Sequence, residues 1–131
     1  MTRFAYICRD GRCVLRADGH ADFCPGSDIV CAGASALMCA LAGALDTLGA
    51  QGVQRTLSAG HAAIAADDRT DVRAAFTVAV TGLRQLAEAY PGHVAEDTDR
   101  TPAQEEPNGS AAAGCCPAAV PGSGQQRKKE T

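Results

Sequence analysis

The feature that most limits how this chain can fold is a run without any charged side chain, residues 29–45. Its apolar residues recur every three or four positions, at Val30, Ala34, Leu37, Leu41 and Leu45, which is typical of a helix that buries one face. The run is short for a membrane span and rich in Ala and Gly, so its hydrophobicity is weak. We therefore predict a buried central helix over residues 28–48 of a soluble protein.

The start of this helix contains candidate reactive side chains. Ser27 is a candidate N-cap and Asp28 suits the first turn, so Cys31 falls where the positive end of the helix dipole favours a thiolate. Asp28, Cys31 and Ser35 are three and four residues apart and share one helix face. His20 can reach that face if the loop between them folds back. Spacing alone leaves two interpretations open: a Cys-His nucleophile pair, or a buried helix cysteine with an unrelated histidine.

The remaining pattern predicts an α+β fold. Two β-type runs, residues 4–8 and 13–17, flank Asp10-Gly11, the preferred pair for a tight hairpin turn, which would place Cys8 opposite Cys13. Residues 53–57 and 62–66 are two weaker strands around a turn, and a helix with one apolar face ends before Pro91-Gly92. The expected fold is a small antiparallel sheet of about four strands, in ββαββα order, with two helices packed against it.

Composition limits the compartment, the partners and the domain boundaries. The formal charge of −3 gives no electrostatic reason to bind nucleic acid, and the N-terminus has no signal-peptide pattern. Seven cysteines without such a signal indicate free thiols in a reducing cytoplasm. Residues 1–93 form the predicted domain. Residues 94–131, which include Cys115-Cys116, are low in complexity and are expected to be disordered.

The stretch around the central cysteine also resembles a known family. Residues 19–37 read GHADFCPGSDIVCAGASAL. The GHA triplet, a short loop and then G-x-D-I-V-C-A-x-x-S-A-L are similar to the signature of the ribosomal-processing cysteine proteases, the Prp family. The likeness covers about residues 3–92. The loop is about one residue shorter than the family pattern and contains Cys24, two departures that bear on substrate gating.

The resemblance implies a function and a set of site residues. Cys31 would be the nucleophile and His20 the base of a dyad that cleaves an N-terminal extension from a large-subunit ribosomal protein. Asp28 and Ser35 match motif positions beside the dyad, and Gly19 and Gly26 match positions around it. The family also implies a homodimer. From the residues themselves we expect a cytoplasmic protein with no metal, cofactor, membrane or direct nucleic-acid contact.

Two other functions compete with this one. A thiol-based metal or redox protein would use Cys8, Cys13, Cys24 and the Cys115-Cys116 pair. A catalytically inactive relative would act as a ribosome-associated binding module. His61, beside the second turn, is expected to be an ordinary surface histidine, because no acidic or thiol side chain adjoins it in sequence.

Overall fold

A five-stranded sheet carries two helices on one face. The computed structural model describes residues 1–21 and 28–98. Within them the elements follow in the order β1 (Thr2–Arg9), β2 (Arg12–Asp18), α1 (Ile29–Thr47), β3 (Gln54–Ser58), β4 (His61–Asp67), α2 (Thr70–Ala89) and β5 (Val94–Glu96). The predicted α+β class and the ββαββα order of the first six elements are confirmed.

The sheet differs from the prediction at one edge. Its strand order is β3-β4-β2-β1-β5, and β5 pairs with β1 in parallel, so the sheet is mixed and not purely antiparallel. β5 is only three residues long and shows no alternating pattern, which is why its sequence did not indicate a strand. It is attached through backbone bonds, from Thr2 N–H to His93 C=O and from Asp97 N–H to Phe4 C=O.

The first hairpin has the predicted register. Asp10 and Gly11 both have positive φ, 54° and 76°, as a type I′ turn requires. Arg9 therefore lies opposite Arg12, and Cys8 lies opposite Cys13 with a Cα–Cα distance of 4.0 Å. Because β2 continues from this turn to Asp18, the hairpin fixes where the strand delivers the following Gly19 and His20.

The core lies between the sheet and the helices. Alternate residues of β2 and β4 face inward and pack with both helices, and Leu15, Ile64, Leu45, Phe76 and Leu83 are almost fully buried. Neither of the two described helices covers the other face of the sheet, and by the strand alternation that side carries Asp18, Arg16 and His61.

The charge-free run forms α1 as predicted, one residue shorter at each end than expected. In the described part of the chain it is the one helix long and apolar enough to cross a membrane, with a mean hydropathy of 1.8. Its inward residues, which include Val30, Met38, Leu41 and Leu45, are buried against the sheet and α2. A core helix therefore accounts for the hydrophobicity of the run.

The fold extends slightly beyond the predicted domain limit. β5 adds Val94–Glu96 to the sheet. From residue 99 onward the predicted tail, with Cys115 and Cys116, lies outside the described residues, as does the loop of residues 22–27.

An ion pair between α2 and β5 predicts a pH-dependent part of the stability. Arg84 donates two hydrogen bonds to Glu96, which hold the pKa of that carboxyl below its ordinary value of 4.5. A lowered pKa stabilises the fold above pH 4.5, and this stabilisation is lost as the pH falls through the folded-state pKa. Because both side chains are partly exposed, we expect Glu96→Gln to cost less than about 1 kcal/mol at pH 7 and almost nothing at pH 3.

The measurement is the free energy of urea unfolding at both pH values. Glu88→Gln is the matched control, since Glu88 is exposed and forms no ion pair in the described region. A Glu96→Gln effect of equal size at both pH values would contradict the prediction.

Candidate active site

Cys31 is the third residue of α1 and is held there by its neighbour Asp28. Asp28 is the N-cap, and its carboxylate accepts a hydrogen bond from the Cys31 N–H at 2.9 Å. The prediction that Ser27 caps the helix is therefore wrong, because the carboxylate one residue later reaches the N3 amide, as N-cap side chains do. Ser27 itself lies outside the described residues.

Cys31 opens onto a cleft between α1 and one end of the sheet. Its thiol is free and partly exposed, and Ser35, one turn further along α1, lines the same cleft. The rest of the lining is mostly small or apolar: Thr2, Ala17, Gly19, Ala34, Met38, Leu57, Ser58, Gly60, His61 and Ala62. The structure thus brings together Cys31, Ser35 and Gly19 of the predicted site, while Gly26 lies outside the described residues.

His20 is presented at the rim of this cleft. β2 ends at Asp18, and the Gly19 N–H donates to the Gly60 C=O at 2.8 Å, which ties the end of β2 to the turn between β3 and β4. The His20 ring lies over Gly60, with Nε2 only 3.0 Å from where a Cβ on that glycine would be. Both glycines line the cleft. His20 is exposed and is therefore accessible to a substrate.

A second histidine, which the sequence did not predict, lies near His20. His93 bonds through Nδ1 to the C=O of Ala21, at 2.8 Å, and Ala21 is fully buried. This contact anchors the residue that follows His20. His93 follows Pro91-Gly92, the stop of the second helix, and no spacing in the sequence links it to residue 21.

His61 is not placed as a partner for Cys31. It lies directly opposite Asp18 in the β2–β4 pairing, and its Nδ1 contacts the Asp18 carboxylate. Its neighbour Ala62 faces the cleft, so by strand alternation the His61 side chain points to the opposite side of the sheet. His61 is partly exposed, as a surface histidine should be, although it does have an acidic neighbour that the linear sequence did not reveal.

Backbone N–H groups at the start of α1 were predicted to be oxyanion donors. Two of them are already bonded: Cys31 N–H donates to the Asp28 side chain, and Ala32 N–H donates to the Asp28 C=O at 3.0 Å. The N–H groups of Ile29 and Val30 have no partner among the residues that the structure describes. The unpaired donors at this helix start are thus fewer than expected and precede the cysteine.

The Asp28 cap gives a stability prediction with a matched control. Asp28→Ala removes the acceptor for the Cys31 N–H, so we expect the free energy of unfolding to fall by about 1 kcal/mol. Asp28→Asn keeps a side-chain oxygen at the same position and should lose much less. Urea denaturation of the three proteins measures the difference. Equal losses in both variants would show that the carboxylate charge, and not the cap, matters at this position.

The other described cysteines are not free thiols, contrary to the prediction. Cys8 and Cys13 are joined as a disulfide, and Cys39 is disulfide-bonded as well. Asp68 lies beside the first pair, so that Cys8, Cys13 and Asp68 bring three possible metal-ligand atoms within 4.8 Å. This cluster lies at the opposite end of β2 from the cleft, and its two sulfurs are already bonded to each other. It is therefore separate from the Cys31 site.

Comparison with known proteins agrees with the geometry. A family model described as cysteine protease Prp matches residues 1–95. The fold is similar to the ribosomal processing protease Prp from S. aureus in complex with a covalently linked product peptide, with a TM-score of 0.67, 26% identity, and coverage of 74% of this chain and 98% of that one. A comparison with curated proteins finds no match.

Two further solved structures are similar. SMU.848 from Streptococcus mutans has a TM-score of 0.59 and 28% identity, over 74% of this chain and 92% of that one. The S. aureus protease in complex with a substrate peptide has a TM-score of 0.58 and 23% identity, over 74% and 98%, which shows the fold alone. Because the family model covers most of the chain and a free helix-start cysteine faces an open cleft, the protein belongs to the cysteine protease Prp family and is a cysteine protease.

Proposed function

We propose that this protease removes an N-terminal extension from a large-subunit ribosomal protein, using Cys31 as nucleophile and His20 as base. The observation that carries the proposal is the free, partly exposed thiol of Cys31 at the start of α1, facing a cleft whose rim holds His20. A helix start favours the thiolate over the thiol, and an adjacent imidazole can accept the proton.

The proposed reaction is acyl transfer in two stages. His20 takes the proton of Cys31, and the thiolate attacks the carbonyl carbon of the scissile peptide bond. The imidazolium then gives its proton to the departing amine, which leaves a thioester on Cys31. A water molecule, deprotonated by His20, hydrolyses the thioester and restores the thiol.

Other residues support this chemistry. The unpaired N–H groups of Ile29 and Val30 lie at the positive end of α1, where donors to a developing oxyanion are most effective. Asp28 caps the helix that presents Cys31. Ser35 lines the cleft one turn away, which supports a role in hydrogen-bonding the substrate. Gly19 gives the chain the room to turn towards the cleft before His20.

The relatives support the proposed substrate class. The similar S. aureus structure is an essential ribosomal processing protease bound to a product peptide. By analogy we propose a ribosomal protein substrate, a homodimer and a cytoplasmic location for this chain, without cofactor, metal, membrane or direct nucleic-acid contact.

Intact mass spectrometry of the host's full-length ribosomal protein tests this function. The purified protease is incubated with it under reducing conditions, beside Cys31→Ala and His20→Ala. We expect one N-terminal cleavage with the wild type and none with Cys31→Ala. His61→Ala is the control. His61 lies at the edge of the cleft, but its side chain pairs with Asp18 and, by strand alternation, points to the other side of the sheet, so this variant should cleave like the wild type.

The possible results separate the competing functions. Cleavage that survives Cys31→Ala would exclude the dyad. No cleavage of a substrate with a confirmed extension would exclude this substrate. Binding without cleavage by every variant would indicate an inactive relative. Stoichiometric metal that is lost on changing Cys8 and Cys13 to serine would support a metal-binding function instead.

A further inference from the structure

One edge of the sheet runs into the Cys31 cleft. In the strand order β3-β4-β2-β1-β5, which covers the described residues, β3 pairs with β4 alone and forms an edge of the sheet. An edge strand has backbone N–H and C=O groups that are available to pair with another extended chain. Such pairing depends on which backbone N–H and C=O groups of β3 point away from β4 and on what lies beside them.

The register of the β3–β4 hairpin shows which backbone groups of β3 point outward. The β3–β4 turn has two residues, so the flanking pair, Ser58 and His61, is hydrogen-bonded. Pairs alternate in an antiparallel ladder, so Thr56 also bonds towards β4, while the N–H and C=O of Leu57 and Arg55 point outward. No hydrogen bond within the described residues occupies these outward groups of Leu57 and Arg55.

The position of Leu57 shows what lies beside the outward edge of β3. Leu57 and Ser58 line the same cleft as Cys31, so the outward edge of β3 is continuous with the site. The Arg55 side chain is held to α1 by an ion pair with Asp46, at 2.9 Å, and does not cover the edge. An extended chain along β3 would therefore pass beside the nucleophile.

We propose that the substrate binds as an added β-strand on the outer edge of β3. Its backbone would pair with Leu57 and, two residues along, with Arg55, a separation of about 7 Å along the strand. Alternate substrate side chains would enter the cleft, whose lining of Ala34, Met38 and Ala62 fits small or apolar groups. This proposal rests on the proposed function, because it supplies the substrate's binding mode.

Backbone N-methylation of a substrate peptide tests the proposal with unmodified protein. A synthetic peptide spans the cleavage site found in the ribosomal-protein assay, and each amide is methylated in turn. Strand addition predicts that two amides, two residues apart, lower kcat/KM by about tenfold or more, since each loses a bond to the edge. Methylation of the amide between them should change kcat/KM by less than about threefold, because it points away.

A variant pair tests the protein side. Leu57→Pro removes the outward N–H, and proline is tolerated at an edge position that makes no ladder bond. Leu57→Val keeps that N–H and an apolar side chain. Both variants change the Leu57 side chain that lines the cleft, so the comparison isolates the backbone N–H. We expect kcat/KM to be about tenfold or more lower for the proline variant than for the valine variant, with circular dichroism confirming that both fold.

The outcomes distinguish the two proposals. Cleavage of the unmodified peptide with no alternation along the methylated series would overturn strand addition and leave the proposed function intact. Equal kcat/KM in folded Leu57→Pro and Leu57→Val would also overturn it. If neither the peptide nor the full ribosomal protein is cleaved, the proposed function fails and the binding mode fails with it.

Discussion

Changing His20 to alanine is expected to lower the cleavage rate at neutral pH by about 10²–10⁴-fold, the usual contribution of a positioned general base. The variant keeps Cys31 and its helix start, so the proposed nucleophile remains present. At higher pH, hydroxide can take the thiol proton in place of His20. We therefore expect the rate of His20→Ala to rise steeply up to about pH 9, while Cys31→Ala stays inactive at every pH.

The measurement is kcat/KM for the ribosomal substrate between pH 6 and about 9, with wild type, His20→Ala, Cys31→Ala and the control His61→Ala. The control replaces a histidine that pairs with Asp18 on the far side of the sheet. A pH profile of His20→Ala that runs parallel to the wild type would show that His20 only shapes the rim of the cleft.

A change at His93 would disturb the position of His20 without removing its imidazole. Its contact with the Ala21 carbonyl fixes the residue after His20, and Ala21 itself is buried. A loss of this contact would leave the His20 imidazole intact but less well placed, which links His93 to the rim of the cleft.

The sequence predicted elements whose patterns are local. Period-3.6 apolar residues indicated both helices, and Asp10-Gly11 indicated the hairpin register, because each pattern involves residues close along the chain. β5 was missed because three residues carry no periodicity, and its pairing with β1 joins the two ends of the domain.

The features of the site also divide into those that local spacing predicted and those that depend on tertiary contacts. Cys31 at the helix start and Ser35 one turn later follow from spacing within one helix. The position of His20 against Gly60 and the anchor from His93 depend on tertiary contacts between residues about 40 and 70 positions apart, which spacing does not encode. The motif around residues 19–37 identified the cysteine and the histidine, whereas the helix cap required the structure.

The largest stability effect is expected from Gly19→Ala. Gly19 has φ of +93°, and a Cβ there would lie 2.4 Å from the backbone oxygen of Met1. The left-handed conformation costs a residue with a side chain about 1–2 kcal/mol. The overlap adds to this, because Thr2, the next residue, is buried and bonded through its N–H to the His93 C=O. We expect a total loss of about 3 kcal/mol or more.

Gly11→Ala is the matched control for this prediction. Gly11 also has a positive φ, 76°, but a Cβ there would meet nothing within 4 Å. It should therefore cost only about 1–2 kcal/mol, from the backbone conformation alone. Free energies of unfolding in urea measure both variants. A similar loss in the two would mean that the start of β1 moves aside easily. A larger loss for Gly19→Ala would show that the close contact between Gly19 and Met1 holds the residue before His20 in place.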